Sequence, residues 1–188
     1  APCLMVTGSH IPADRNGIKF YRADGEITKS DEAAISGNAV KIMAAKKKPE
    51  YEPSAGTDKS GQAQAHFVAR HRGLLPSDAL KRLKIGVYQH STVARDLLVR
   101  IVEMFGAEAM PLGRSGAFIP VDTEAVSTEA IGLMRGWAKA HRLDAVISSD
   151  GDGDRPLVAD ETGEPLRGDL LGLMTAQFLG ARTLVTPV

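Results

Sequence analysis

From Lys81 onward, short β-type runs alternate with amphipathic helical stretches, and this alternation restricts the fold more than any other feature of the chain. Residues 84–88 read as a strand. Ala94, Leu97, Leu98, Ile101, Val102 and Phe105 then form an apolar helical stripe that Gly106 stops. Residues 108–112 read as a second strand. Val126, Ala130, Leu133, Met134, Trp137, Ala138 and His141 share another helical face, with Trp137 read as core and His141 as a helix-end residue. Residues 145–148 are a third strand, 157–159 a short return strand, 161–164 a turn, 169–179 a helix and 183–188 a last strand. Alternating strands and helices joined by short connections bury their apolar faces as a layered α/β fold around a mixed, largely parallel sheet.

The first part of the chain is different in texture. An apolar run at 4–6 leads into a loop at 7–17, an extended piece at 18–21 and a turn at Asp24-Gly25. Ser30 is the expected N-cap of a helix whose first turn carries Asp31 and Glu32. Ile35, Ala39, Ile42 and Met43 fall on one face of that helix, and Lys46, Lys47 and Lys48 suit its end. Residues 49–64, rich in Pro, Gly, Ser and charge, read as an irregular connection, and 66–72 as a further helical turn or two. The change of pattern places a domain boundary between 1–73 and 74–188. Both ends of the chain fall in strand-like runs, which is the expectation for a piece of a longer protein.

Composition removes some classes of function. The 188 residues carry 23 Lys plus Arg and 23 Asp plus Glu, a formal net charge of zero. Such a chain is a poor general binder of nucleic-acid backbones. No apolar stretch approaches the roughly 18 residues that span a bilayer, and no secretory signal is visible. The single cysteine, Cys3, lies in an apolar run and reads as a buried structural thiol; one thiol forms no internal disulfide and fits a reducing, cytoplasmic setting.

The sharpest local signal is Asp150-Gly151-Asp152-Gly153-Asp154-Arg155, directly after a strand. Carboxylates this close repel one another, and a divalent cation with oxygen ligands removes the repulsion. Gly151 and Gly153 let the backbone bend so that the three carboxylates converge, and the carboxyl end of a strand is where α/β sheets bind ligands. Asp150, Asp152 and Asp154 are therefore the candidate metal ligands, against a merely solvated acidic turn. An EF-hand calcium loop shares the alternating acids and a Glu at its twelfth position, here Glu161, but needs Gly at the sixth, where Arg155 stands. A guanidinium beside a metal loop can hold a phosphate next to the cation; the alternative is a simple salt bridge to an aspartate.

A second loop, Thr7-Gly8-Ser9-His10-Ile11-Pro12 followed by Asn16-Gly17-Ile18-Lys19, also follows a strand. Adjacent Ser and His are poorly placed for a protease-like pair, and no third member is evident. A serine can take a phosphoryl group when a metal and cations neutralise the transferring oxygens, and a lysine can act as acid or base if neighbouring cations lower its pKa.

Together, and in this order, the two loops resemble the phosphoserine loop and the metal loop of the α-D-phosphohexomutases, with the bacterial phosphomannomutase/phosphoglucomutase branch the most similar. The resemblance implies α/β/α domains, with 1–73 the later part of the first domain and 74–188 the second. It implies that Ser9 is the phosphorylated residue and that Mg2+ is bound by Asp150, Asp152, Asp154 and a phosphate oxygen on Ser9. His10 then shapes the site, Lys19 is the position for proton transfer, and Arg155 contacts phosphate or substrate. The implied reaction moves a phosphoryl group between the 1- and 6-positions of a hexose phosphate through a hexose 1,6-bisphosphate. Gly8, Ile11 and Pro156 depart from the common family pattern. Regions that read the sugar hydroxyls and its distal phosphate do not appear in this sequence, so the remaining domains of a full-length enzyme are the expected partners, and this chain alone is expected to be inactive. The alternatives are a phosphoglucosamine mutase of the same family, a non-catalytic metal-binding module, or a hydrolase with an aspartyl nucleophile.

Overall fold

The computed structural model describes residues 1–8, 15–44 and 56–185, and the chain divides into two compact units, Ala1–Gly61 and Gln62–Val188. In the first unit, β1 (Cys3–Thr7), β2 (Gly17–Arg22) and β3 (Gly25–Glu26) form an antiparallel sheet in that order. The β1–β2 register runs from Cys3 opposite Tyr21 to Thr7 opposite Gly17. The β2–β3 turn falls at Ala23-Asp24 and closes on Gly25, whose φ of 148° suits glycine.

Helix α1 (Lys29–Ala44) follows. Its cap is Thr28 rather than Ser30. The Thr28 hydroxyl accepts from Asp31 N–H at 3.3 Å, and the Asp31 carboxylate accepts from Thr28 N–H at 2.8 Å. This is the reciprocal arrangement of a capping box, and the carboxylate three residues on selects Thr28 over Ser30. None of the residues of α1 is buried. An open groove of about 660 Å³, lined by Cys3, Leu4, Phe20 and Ile35 among others, lies beside the sheet. Cys3 is therefore exposed, not the buried thiol expected from its apolar neighbours.

Helix α2 (Ser60–Ala69) begins earlier than its composition suggests. Asp58 accepts from Ser60 N–H at 2.8 Å, satisfying one of the unpaired donors at a helix start, so residues 60–64 are helical instead of irregular.

The second unit is built on β4 (Lys84–Tyr88), β5 (Glu108–Leu112), β6 (Ala145–Ser149) and β7 (Pro156–Ala159), in the spatial order β5-β4-β6-β7. The first three are parallel, and β7 returns antiparallel to β6. Alternate residues of a strand face opposite sides. Ile85, Val87 and Ile147 pack with Leu98 and Val102 of α3 (Arg95–Met104). Tyr88, Val146, Leu157 and Ala159 pack with Ala130, Met134 and Trp137 of α4 (Thr128–His141). The unit is thus an α/β/α layering, with Trp137 against the core, its ring centroid 5.2 Å from that of Tyr88. Ser127 caps α4, accepting from Ala130 N–H at 3.2 Å, and His141 is the last residue of the helix. Helix α5 (Gly168–Phe178) closes the described structure. Residues 183–185 form no strand, and the rest of that expected strand lies outside the described residues. No helix among the described residues is long and apolar enough to cross a membrane.

Candidate metal centre

The chain leaves β4 through α3 to reach β5 on one side, then passes through α4 to β6 on the other side of β4. The carboxyl ends of β4 and β6 therefore flank a topological switch point, where adjacent crossovers diverge and leave a crevice. The acidic loop springs from the end of β6 at that point.

Asp150 is 1% exposed and organises the loop with one oxygen. Its Oδ1 accepts from the backbone N–H groups of Gly153 (3.2 Å), Asp154 (3.1 Å) and Arg155 (3.1 Å). Its own N–H donates to Arg155 O at 3.1 Å, closing the turn. Gly153 supplies the bend, with φ 84°, and a Cβ there would stand 3.2 Å from Ala94 Cβ. Gly151, expected to share this task, is not among the residues of positive φ.

Asp150, Asp152 and Asp154 each bring a carboxylate oxygen within 4.8 Å of the others. Oxygens on one cation can be no more than about twice the metal–oxygen distance apart, roughly 5.2 Å for calcium and roughly 4.2 Å for magnesium, so the spacing fits a calcium-sized ion as it stands and a magnesium ion after a contraction of about half an ångström. Asp150 Oδ2 is buried and has no hydrogen-bond partner among the described residues. Burial pushes the Asp150 carboxyl above its ordinary value against the pull of the Arg155 N–H, and the charges of Asp152 and Asp154 push it further. A bare buried carboxylate oxygen beside two like charges is costly, and a divalent cation is the partner that relieves all three conditions. The flanking elements are β6 and β7, so the loop is not an EF-hand, which needs helices there.

Of the other residues expected in the site, Arg155 donates from Nη1 to Glu124 Oε1 at 3.0 Å, tying the acidic loop to the 113–127 segment. Glu124 carried no local signal, since only the tertiary fold brings it near. Lys19 lies on β2, exposed and opposite Met5. Ser9 and His10 lie outside the described residues. The sequence also left His90 and Thr92 unremarked, although both are fully buried. Their position, a polar run directly after a buried strand that leads into a helix, was the available clue.

The family model for phosphoglucomutase/phosphomannomutase, alpha/beta/alpha domain II, matches residues 66–163, and that for alpha/beta/alpha domain I matches residues 1–46. This chain belongs to the phosphoglucomutase/phosphomannomutase family. It is 54% identical over 188 residues to a phosphomannomutase of Sinorhizobium fredii, covering all of this chain and 40% of that protein. It is 48% identical to a phosphomannomutase of Salmonella muenchen, covering 38% of it, and 31% identical over 180 residues to a phosphoglucosamine mutase of a Ruegeria species. A solved phosphoglucomutase/phosphomannomutase family protein from Burkholderia thailandensis matches 96% of the chain with a TM-score of 0.66 and 26% identity, over 38% of its own length. The chain spans about two-fifths of the length of the curated relatives it matches.

Proposed function

We propose that this chain carries the phosphoryl-donating part of a phosphomannomutase/phosphoglucomutase, a cytoplasmic enzyme that moves phosphate between the 1- and 6-positions of a hexose phosphate. The observation that carries the reading is the acidic loop: three converging carboxylates, one with a bare buried oxygen, in a domain of this family. Asp150, Asp152 and Asp154 hold Mg2+ in this reading. An ion held there would supply charge stabilisation to the transferring phosphoryl oxygens, the dominant need of such a transfer.

Ser9 is the donor. Its phosphorus–oxygen bond breaks as a new one forms to a hydroxyl of the hexose monophosphate, giving a hexose 1,6-bisphosphate. The sugar hydroxyl surrenders its proton to Lys19, and the departing Ser9 oxygen takes one up from water. In the return step Ser9 gives its proton back to water and Lys19 returns its own to the departing sugar oxygen, while His10 shapes the loop around Ser9. Return of the other phosphate to Ser9 completes the isomerisation. Arg155 exchanges its Glu124 partner for a phosphate oxygen when substrate is bound. The parts of the longer relatives that this chain does not span complete the sugar site, with residues 1–73 and 74–188 contributing the first and second domains.

Incubation with glucose 1,6-bisphosphate followed by intact-mass measurement tests this. One phosphoryl group on the wild type, located at Ser9 by fragmentation and lost in Ser9→Ala, is the expected result. A phosphoryl group that survives Ser9→Ala and vanishes in Asp150→Asn would transfer the role to an aspartyl nucleophile and sink the proposal. Mutase turnover by the 188-residue chain alone would overturn the division of labour between this chain and the remaining domains.

A further inference from the structure

Strand β4 ends at Tyr88, and its parallel ladder with β6 closes at Val87 and Ile147, yet β6 continues to Ser149. Across the antiparallel pair, Asp150 bonds to Arg155 through its N–H, so the adjacent Ser149–Pro156 pair is the non-bonded kind and the Ser149 carbonyl points away from β7, toward the side that β4 has vacated. A buried carbonyl there needs a donor. The His90 side chain provides it, with Nε2 2.8 Å from Ser149 O.

A carbonyl only accepts, so Nε2 carries the hydrogen. His90 is 0% exposed, burial holds its imidazole below the usual value, which favours the neutral ring, and Nδ1 has no partner among the described residues. The backbone of His90 sits at a φ of 21°, and its carbonyl accepts from Ser115 N–H at 2.9 Å. The residue is fixed from both ends for one side-chain bond.

Thr92, also 0% exposed, anchors a second chain of bonds. Ser149 Oγ donates to Asp150 O at 3.0 Å, which spends its only hydrogen. The 2.8 Å contact between Thr92 Oγ1 and Ser149 Oγ therefore runs from threonine to serine, and Thr92 Oγ1 accepts in turn from Ala94 N–H at 3.1 Å. A third tie, Val93 N–H to Gly151 O at 3.0 Å, lies beside it. Three successive carbonyls, of Ser149, Asp150 and Gly151, are thus each held from the segment between β4 and α3 or through a hydroxyl it orients.

We infer that His90 and Thr92 are positioning residues for the cation site, holding the Ser149–Gly151 backbone so that Asp150 keeps Oδ1 on the loop amides and Oδ2 available as a ligand. The inference rests on the cation site proposed above. Partners that orient ligands in this way commonly matter to affinity by about 10- to 100-fold.

The test uses the 188-residue chain with Mn2+ as the probe, titrated by calorimetry and electron paramagnetic resonance, with far-ultraviolet circular dichroism to establish folding. Wild type against Asp150→Asn examines the site itself: no Mn2+ uptake by the wild type, or equal uptake by both, removes the cation reading and this inference with it. With that site established, Thr92→Val and His90→Leu are expected to bind about tenfold more weakly, and His90→Gln, whose amide still donates, to recover most of the loss. Folded Thr92→Val and His90→Leu proteins with wild-type affinity would overturn the positioning role while leaving the cation site intact, even if both are less stable. Should either variant fail to fold, Ser149→Ala is read in its place: weaker binding supports the role, and unchanged binding refutes it.

Discussion

The two units of this chain are held together by different means. Among the described residues of Ala1–Gly61, none is buried; Leu4, Val6, Val40 and Met43 are all more than half exposed. Among the described residues all the buried ones lie in Gln62–Val188, and most of the apolar ones, including Met134 and Val146 at 0% exposure, form two clusters on opposite faces of one sheet. Helix α1 depends on its capping box and local ion pairs such as Lys29 with Glu32, whereas α4 depends on Ala130, Met134 and Ala138 packed against the strands. Exposed pairs contribute little, about 0–1 kcal/mol each, while full burial of one large apolar side chain contributes about 1.5–3 kcal/mol. The acidic loop sits on the unit with the core, and geometry that must hold three carboxylates in place belongs on such a scaffold.

The most forceful way to break this comparison is to truncate a methionine in each unit. Met134→Ala should destabilise the second unit by about 2–5 kcal/mol in urea unfolding, through lost burial and the cavity left behind. Met43→Ala, at a side chain 80% exposed, should change α1 by no more than about 0.5 kcal/mol in hydrogen exchange. Equal costs at the two sites would show that α1 has a packing partner its exposure does not reveal.

Next in size is Gly163→Ala. Gly163 turns the chain after β7 with a φ of 80°, and an added Cβ would collide with the backbone of Met134 and Arg135 in α4. Backbone gives way less easily than a side-chain tip, so about 1–3 kcal/mol of stability should be lost. Gly25→Ala in the first unit shares the positive φ but meets nothing within 4 Å, and should cost only the backbone strain. A Gly163→Ala protein as stable as wild type would mean that the turn can move off α4.

How far the sequence foretold these differences depends on how local each determinant is. The alternation of strands and helices in the second unit was legible because each element carries its own periodicity, and the acidic loop because its three carboxylates are neighbours in the chain. The strength of the first unit's core was not legible. Ile35, Ile42 and Met43 follow helical spacing, but spacing says which face could be buried, and the described residues supply nothing that buries it. Thr28 displaced Ser30 as the cap because the choice turns on the reach of Asp31, one side chain among several candidates. His90, Thr92 and Glu124 were silent because each acts on residues far along the chain, and only the switch point between β4 and β6 brings them to the loop.

A smaller effect is expected from pH, and it is confined to the unit with the core. The folded-state pKa of His90 lies below its ordinary value of 6.5, with burial the main cause and the Ser149 carbonyl and Asp150 charge opposing it. The unfolded chain therefore takes up the proton first. The contribution is fully present above 6.5 and is lost as pH falls from there through the lower folded-state value. Asp150 acts with the opposite sign: its pKa is raised above 3.8, so its ionisation costs stability as pH rises from 3.8 through the raised value. Comparing wild type with His90→Gln isolates the histidine. From about pH 8 to about pH 5.5 the wild type should lose stability relative to the variant. A stability difference that does not change over that range would mean that the buried ring takes up a proton as readily as a free one.

The smallest change sharpens the comparison from the other side. Gly37 lies in the interior of α1, and a Cβ added there meets nothing within 4 Å. Glycine inside a helix costs about 0.5–1 kcal/mol relative to alanine, because more backbone freedom is lost on ordering. A helix held by packing hides such a term beneath burial, but a helix held by local interactions should express it in full. Gly37→Ala is therefore expected to slow hydrogen exchange along α1 by about two- to fivefold, the same free energy expressed as a ratio of open to closed helix. Unchanged exchange would mean that opening of α1 is governed by contacts outside the helix, and the contrast between a locally held unit and a core-held one would fail at its simplest point.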